Sequence, residues 1–232
     1  MTDRLRLVWP DAALFVARDG LPVRILAVSD EPDASLDSEA TRHGLEPIDL
    51  IIGCGDLRAD YLAFVADAFR SVPLVYVRGN HDVGAAWRAG ERDGLPGPLL
   101  DGQLHREAGL AILGFSGSPV YNDPKDRMQV SSTGMWLRSL RGWFAALGRG
   151  RPLLIISHAP PRGLNDASDL THRGFTAFRW LLDRLRPPLW LHGHTALVRR
   201  GLDGRSLQHG GTLLYNCTGA TLVELVPRGH RP

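Results

Sequence analysis

Cysteine is nearly absent from this chain: two residues, Cys54 and Cys217, stand among 232. They are too few and too far apart for a disulfide framework, and neither belongs to a Cys-x-x-Cys pair, which also removes a thiolate zinc knot from consideration. Such usage suits a reducing cytoplasm. Long apolar runs are missing too. No uncharged stretch approaches the roughly 18 residues needed to span a bilayer, and the opening segment carries Asp3, Arg4, Arg6 and Asp11. Neither an export signal nor a membrane anchor is expected. A surplus of one charge is lacking as well, since 27 basic residues face 25 acidic ones for a formal net charge of +2. Proteins that track a phosphate backbone concentrate a far larger basic excess, so nucleic acid is not implied as a partner.

What is present is ordinary globular material, 44% hydrophobic and 22% charged, which excludes disorder and fibrous architecture. The length fits one α/β domain over residues 1–232. Apolar runs of strand length recur at 24–28, 50–52, 74–77, 110–115, 153–156 and 189–191, most of them bounded by Gly, Ser or Pro. Helical three-and-four spacing marks 61–70, 135–147 and 175–186. This alternation predicts a layered α/β fold. The tail at 212–226 holds two strand-like runs with no helix between them, which predicts a mixed sheet. Segments 90–102 and 160–174 look like long surface loops, and loops of that length are often functional.

The polar residues that interrupt this pattern carry the chemistry. Asp30 follows the first run, Asp56 follows the second through Gly53-Cys54-Gly55, and Asn80-His81-Asp82 follow the third after Gly79; His158 and His192-Gly193-His194 follow two later runs. Ligands of open α/β sheets bind at the carboxyl ends of strands. Carboxylate, amide oxygen and imidazole together suit a divalent cation such as Mn, Fe, Zn or Mg. Beside a phosphate such an ion neutralises phosphoryl oxygens and lowers the pKa of water.

These residues, as the ordered set Asp30, Gly55-Asp56, Gly79-Asn80-His81-Asp82, Ser157-His158 and Gly193-His194, resemble the calcineurin-like metallophosphoesterase superfamily. The resemblance implies a four-layer sandwich, two mixed β-sheets flanked by helices, with one or two divalent metal ions at the strand ends. It implies Asp30, Asp56, Asn80, His158 and His194 as metal ligands, with Asp56 bridging both ions and Asn80, His158 and His194 completing one of them. It further implies His81 as a catalytic residue that stabilises phosphate or protonates the leaving group, and Asp82 as the group that orients its ring.

One half of the expected centre departs from the family pattern. The family has Asp-x-His and Gly-His-x-His where this chain reads Asp30-Glu31-Pro32 and Gly193-His194-Thr195-Ala196. Two imidazoles are therefore missing, and Asp33 is the nearby oxygen that could replace one. Three outcomes follow: an oxygen-rich site for Mg or Mn, a one-metal enzyme, or a protein that has lost efficient catalysis. The reading adopted is an active, ligand-depleted phosphoesterase acting on a small phosphate mono- or diester, as against a catalytically weak, metal-binding domain that recognises a nucleotide or protein partner. His192 and Cys54 are expected to be structural, and His172 and Arg173 to sit on a solvated loop. Arg78 stands between a phosphate contact and a surface salt link.

Overall fold

Runs such as Leu50–Cys54 are apolar at every position because both faces are covered; all five residues are buried. The computed structural model describes residues 2–70, 72–92, 95, 97–122, 128–148, 152–195 and 204–229. The strands in the first half are β1 (Asp3–Val8), β2 (Val23–Ser29), β3 (Leu50–Cys54), β4 (Leu74–Val77), β5 (Gln103–Glu107) and β6 (Leu110–Phe115). After them come β7 (Ser118–Pro119), β8 (Gln129–Val130), β9 (Leu153–Ser157), β10 (Leu189–His192), β11 (Ser206–His209), β12 (Thr212–Asn216) and β13 (Gly219–Val226). The helices are α1 (Ala13–Val16), α2 (Glu39–Leu45), α3 (Ala59–Ala68), α4 (Ala85–Arg92), α5 (Ser132–Ala146) and α6 (Thr176–Leu185), with a 3-10 turn at Ala34–Asp37.

Five strands form one sheet in the order β1-β13-β2-β3-β4, and six form another in the order β11-β12-β10-β9-β6-β5. Both are mixed, as expected: β2, β3 and β4 run parallel while β13 opposes β2, and β6, β9, β10 and β12 run parallel while β5 and β11 oppose their neighbours. Alternate residues of each strand point to opposite faces. Thus Ile25, Ile52, Val75, Ile112, Leu154 and Leu191 meet between the sheets. Leu26, Ile51 and Tyr76 face outward against Leu62 and Val65 of α3, and Leu113, Ile155 and Trp190 face Met135 of α5 and Phe178 of α6. Each such fully buried aliphatic side chain contributes about 1.5–3 kcal/mol. The result is helix, sheet, sheet, helix.

Edge elements depart from the sequence expectation. β1 alternates half-buried and exposed residues and carries charges, β5 and β11 are equally polar, and none of them shows the apolar run that marks an interior strand. They border their sheets, where polar side chains guard the open edge. Helix α4 covers part of the segment expected to be a loop at 90–102; it is anchored by Trp87, which is buried against Tyr76.

The sheet order brings the carboxyl ends of β2, β3 and β4 beside those of β9 and β10. One buried chain of contacts sets the β9 end. The Trp190 indole donates to Ser157 Oγ at 2.8 Å, and that hydroxyl donates to the Ala159 carbonyl at 2.7 Å. Phe178 packs on both Trp190 and Phe115, with centroids 5.4 and 5.1 Å apart. His158 lies between these anchors.

Candidate metal centre

Left-handed backbone marks where the strands hand over to the site. Asp30, Asp56 and His194 have φ values of 58°, 54° and 70°, a region that disfavours side-chain-bearing residues and recurs at functional turns. Two glycines make room for these turns. A Cβ on Gly79 would lie 2.1 Å from Asp56 Oδ1, and one on Gly193 would lie 2.0 Å from Ser29 Oγ and 2.1 Å from Asp30 Oδ2. Gly193→Ala is accordingly expected to destabilise the fold by about 2 kcal/mol through overpacking, which lowers the melting temperature by roughly 4–8 °C. A thermal melt of the variant checks this.

The loops are pinned to one another. The Asp30 carboxylate accepts the His194 backbone N–H at 3.0 Å on both oxygens, and its Oδ2 also accepts the Ser29 and Thr218 hydroxyls at 2.6 and 3.3 Å. Asp56 Oδ1 accepts the His81 backbone N–H at 2.7 Å. Asp82 is buried, and its Oδ2 accepts the backbone N–H groups of Asp56 and Gly79 at 2.8 and 2.7 Å. Asp82 therefore clamps two loops together through their main-chain N–H groups. Burial first, then the charge of Asp56, pushes its pKa up to about 7.

Around His158 the donors converge. Its Nδ1–H donates to the Cys54 carbonyl at 3.0 Å, a contact that fixes the ring and aims Nε2 into the site. Asn80 Oδ1 and His194 Nδ1 each lie 3.1 Å from Nε2, and Asp56 Oδ2 lies 3.3 Å from it. A cation, or a proton on Nε2, would relieve the crowding of these lone-pair atoms around one nitrogen. Separations of about 3.0–3.4 Å are those that bonds of ~2.1 Å to one cation produce. The donor set of two imidazoles, an amide oxygen and a carboxylate fits a borderline divalent ion. Asp30, Asp56 and His158 also group as a set able to hold a metal, with donor atoms within 4.8 Å of one another. The other nitrogen of His194, buried Nε2, has no hydrogen-bond partner among the described residues.

Electrostatics follow from this crowding. Burial disfavours a charged His158, but Asp56, Asp30 and Asp82 outweigh it and push its pKa up to about 10. Burial and then the charge of His158 hold the His194 imidazole well below its usual range, and thus neutral. Burial opposes ionisation of Asp56, yet His158 and the His81 backbone N–H hold its carboxyl well below the usual carboxylate range. Burial raises Asp30.

A cavity of about 360 Å³ opens over these donors, lined by Asp30, Asp56, Asn80, His81 and His194 and also by Glu31, Tyr121, Thr171, His172 and Thr218. His81 is 57% exposed, with Nε2 3.9 Å from Asp56 Oδ2. Two contributors carried no sequence signal. Tyr121 Oη accepts from Asn80 Nδ2 at 3.1 Å, which turns the amide oxygen toward His158, and Thr218 reaches Asp30 from the start of the adjacent strand β13. Asp33 lies elsewhere: its carboxylate accepts the Ser35 N–H at 2.9 Å and the Thr2 hydroxyl at 3.3 Å, capping the 3-10 turn. Arg78 donates to the Asp82 carbonyl and stacks over Trp87, outside the cavity lining. His192 is buried, with Nε2 against Asn165 at 3.3 Å and Nδ1 against the Gly193 carbonyl at 3.0 Å. Ala196 lies outside the described residues.

The molecule is a layered α/β protein of two mixed sheets with metal-type donors gathered at their strand ends. A family model for calcineurin-like phosphoesterases matches residues 23–197, and the chain belongs to that family. No curated protein matches the sequence significantly. One solved structure shares the fold with a TM-score of 0.62 at 14% identity, over 86% of this chain and 91% of the other. A second, TT1561 of Thermus thermophilus, has a TM-score of 0.58 at 14% identity, over 85% of this chain and 90% of that one. No helix among the described residues is long and apolar enough to cross a membrane.

Proposed function

We propose that this single domain is a cytoplasmic, metal-dependent hydrolase of a small phosphate mono- or diester. The observation that carries the reading is the meeting of Asp56, Asn80 and His194 donors within 3.3 Å of His158 Nε2. Bound there, a divalent cation of the Mn, Fe, Zn or Mg type supplies Lewis acidity toward a phosphoryl oxygen and a nucleophile at neutral pH. The side chains do the rest. Asp56 balances the imidazoles and, through its hold on the His81 backbone, sets that ring over the cavity. His81 then donates a hydrogen bond to the phosphoryl group or a proton to the leaving oxygen. Asp82 positions both loops by accepting their backbone N–H groups.

The second metal position is depleted in this reading. Asp30 accepts hydrogen bonds from three protein groups, Asp33 is spent as a cap, and Pro32 is exposed. Protein purified without chelator is expected to carry about one tightly held ion per chain by elemental analysis, and to turn over aryl phosphate mono- or diesters with Mn or Mg. The same depletion favours the rival reading, a metal-binding domain of weak activity that recognises a nucleotide or protein partner. Rates at the metal-free background with both ions and both ester types would establish the rival and remove the hydrolase.

A further inference from the structure

A hydrolase of phosphate esters needs groups that grip an anion, and the cavity is poor in them. Its described lining holds three carboxylates, Asp30, Glu31 and Asp56, and neither lysine nor arginine. Apart from His194, the imidazoles there are His81 and His172. His81 belongs to the motif that carries the family resemblance. His172 does not.

The segment before α6 presents His172 on a stiff frame. Ala167 N–H donates to the His172 carbonyl at 3.1 Å, and Gly174 N–H donates to Asp166 Oδ2 at 3.0 Å. Residues 161 and 175 form a parallel bridge. A Cβ on Gly174 would meet the Pro160 carbonyl oxygen at 2.3 Å, so the two ends of the loop touch. Within this frame the Asp169 carboxylate lies 2.8 Å from His172 Nδ1 and accepts the His172 backbone N–H at 3.0 Å. It also takes the Thr171 hydroxyl at 2.6 Å. The Thr171 hydroxyl and then the His172 ring hold the Asp169 carboxyl well below the usual carboxylate range. Among the described residues the side-chain hydrogen bonds of the imidazole are made at Nδ1, to Asp169 and Thr171, which leaves the Nε2 edge for a ligand. The ring is 29% exposed and its centroid lies 5.6 Å from that of His194, one ring removed from the converging donors. It lines the cavity that opens over those donors.

We propose that His172, oriented by Asp169, is a substrate-binding residue that donates a hydrogen bond to a phosphoryl oxygen of the ester. The assignment rests on the hydrolase reading above. A carboxylate on one nitrogen and a phosphoryl oxygen on the other is the pattern that keeps an imidazole fixed and donating.

The test uses Mn-loaded full-length protein and inorganic phosphate as the probe, with affinity measured by titration calorimetry. His172→Ala should weaken phosphate binding roughly tenfold, about 1.4 kcal/mol, and raise KM for an aryl phosphate more than it lowers kcat. Metal content should stay at the wild-type level. His172→Gln, which keeps a donor and the ring's approximate reach, should recover part of the affinity, and Asp169→Asn should lose about threefold. Phosphate affinity within twofold of wild type in His172→Ala would overturn the assignment, as would a loss of bound metal in that variant, which would make the residue a support for His194. Wild-type protein that neither binds phosphate nor hydrolyses esters removes the hydrolase reading and this one with it; wild-type protein that does both, with an unchanged His172→Ala, removes this one alone.

Discussion

Asp56→Ala is expected to empty the centre and lower ester hydrolysis more than about 100-fold, beyond the range found for residues that merely orient metal ligands. Three separate losses coincide in that variant. The carboxylate is one of the donors converging on His158 Nε2, at 3.3 Å, so the atoms around that nitrogen are reduced to an imidazole and an amide oxygen. Its Oδ1 also anchors the His81 backbone at 2.7 Å, and without it the ring over the cavity loses its mooring. Finally, the largest of the three negative charges that raise His158 disappears, and burial of the imidazole then weighs more heavily against its charged form. Asp56→Asn separates these effects, because an amide oxygen can still accept the His81 N–H while the charge is gone. It should keep the wild-type melting temperature within a few degrees and still lose metal. Elemental analysis and an aryl phosphate assay on both variants decide the matter; full metal content with near wild-type turnover in Asp56→Ala would sink the assignment of Asp56 to the centre.

The parts of the molecule that were legible in the sequence are those whose burial leaves a local mark. The interior strands β3, β6 and β9 are covered on both faces, so their sequences are unbroken apolar runs, and α3, α5 and α6 bury one side and show helical spacing. Edge strands β1, β5 and β11 touch a neighbour on one side only and keep polar residues, which hides them among loops. The same division holds in the site. Asp30, Asp56, Asn80, His158 and His194 were legible because each interrupts an apolar run at a strand end. Tyr121 contacts Asn80 across 41 positions and Thr218 contacts Asp30 across 188; no local pattern announces either. Roles that act through the main chain leave no mark in the sequence either: Asp82 accepts the backbone N–H groups of Asp56 and Gly79, and Asp33 caps a turn. The 160–174 segment looked like a solvated loop because its residues are polar, but its polar groups bond to one another and turn His172 into the cavity.

Metal affinity is expected to rise about tenfold for each pH unit between pH 7 and 9, and to flatten as pH approaches the His158 value of about 10. What occupies the space between the donors sets this slope. Without metal, burial works against a charged His158, but Asp56, Asp30 and Asp82 outweigh it, so throughout this range a proton on Nε2 does the work a cation would do. His194 is neutral, because burial and the charge of His158 keep it so, and it needs no deprotonation to act as a ligand. Each ion that binds must therefore expel one proton from His158, and a reaction that releases one proton gains a factor of ten per pH unit. Below about pH 7 a second proton enters, since Asp82 is pushed up to about 7 by burial and by Asp56 and an arriving cation favours its ionised form, so the slope steepens toward two. Folding stability obeys the same linkage. A histidine whose folded pKa exceeds the unfolded value of about 6.5 contributes stability that is complete below that pH and is lost as pH climbs to its folded value. Metal-free protein should consequently melt at progressively lower temperature from pH 7 to pH 10, while metal-loaded protein, in which the ion has replaced the proton, should not. Calorimetric titration of Mn into chelator-treated protein in buffers of different ionisation enthalpy counts the released protons directly. A pH-independent affinity with no proton release would mean that His158 and the three donors around it do not hold the ion.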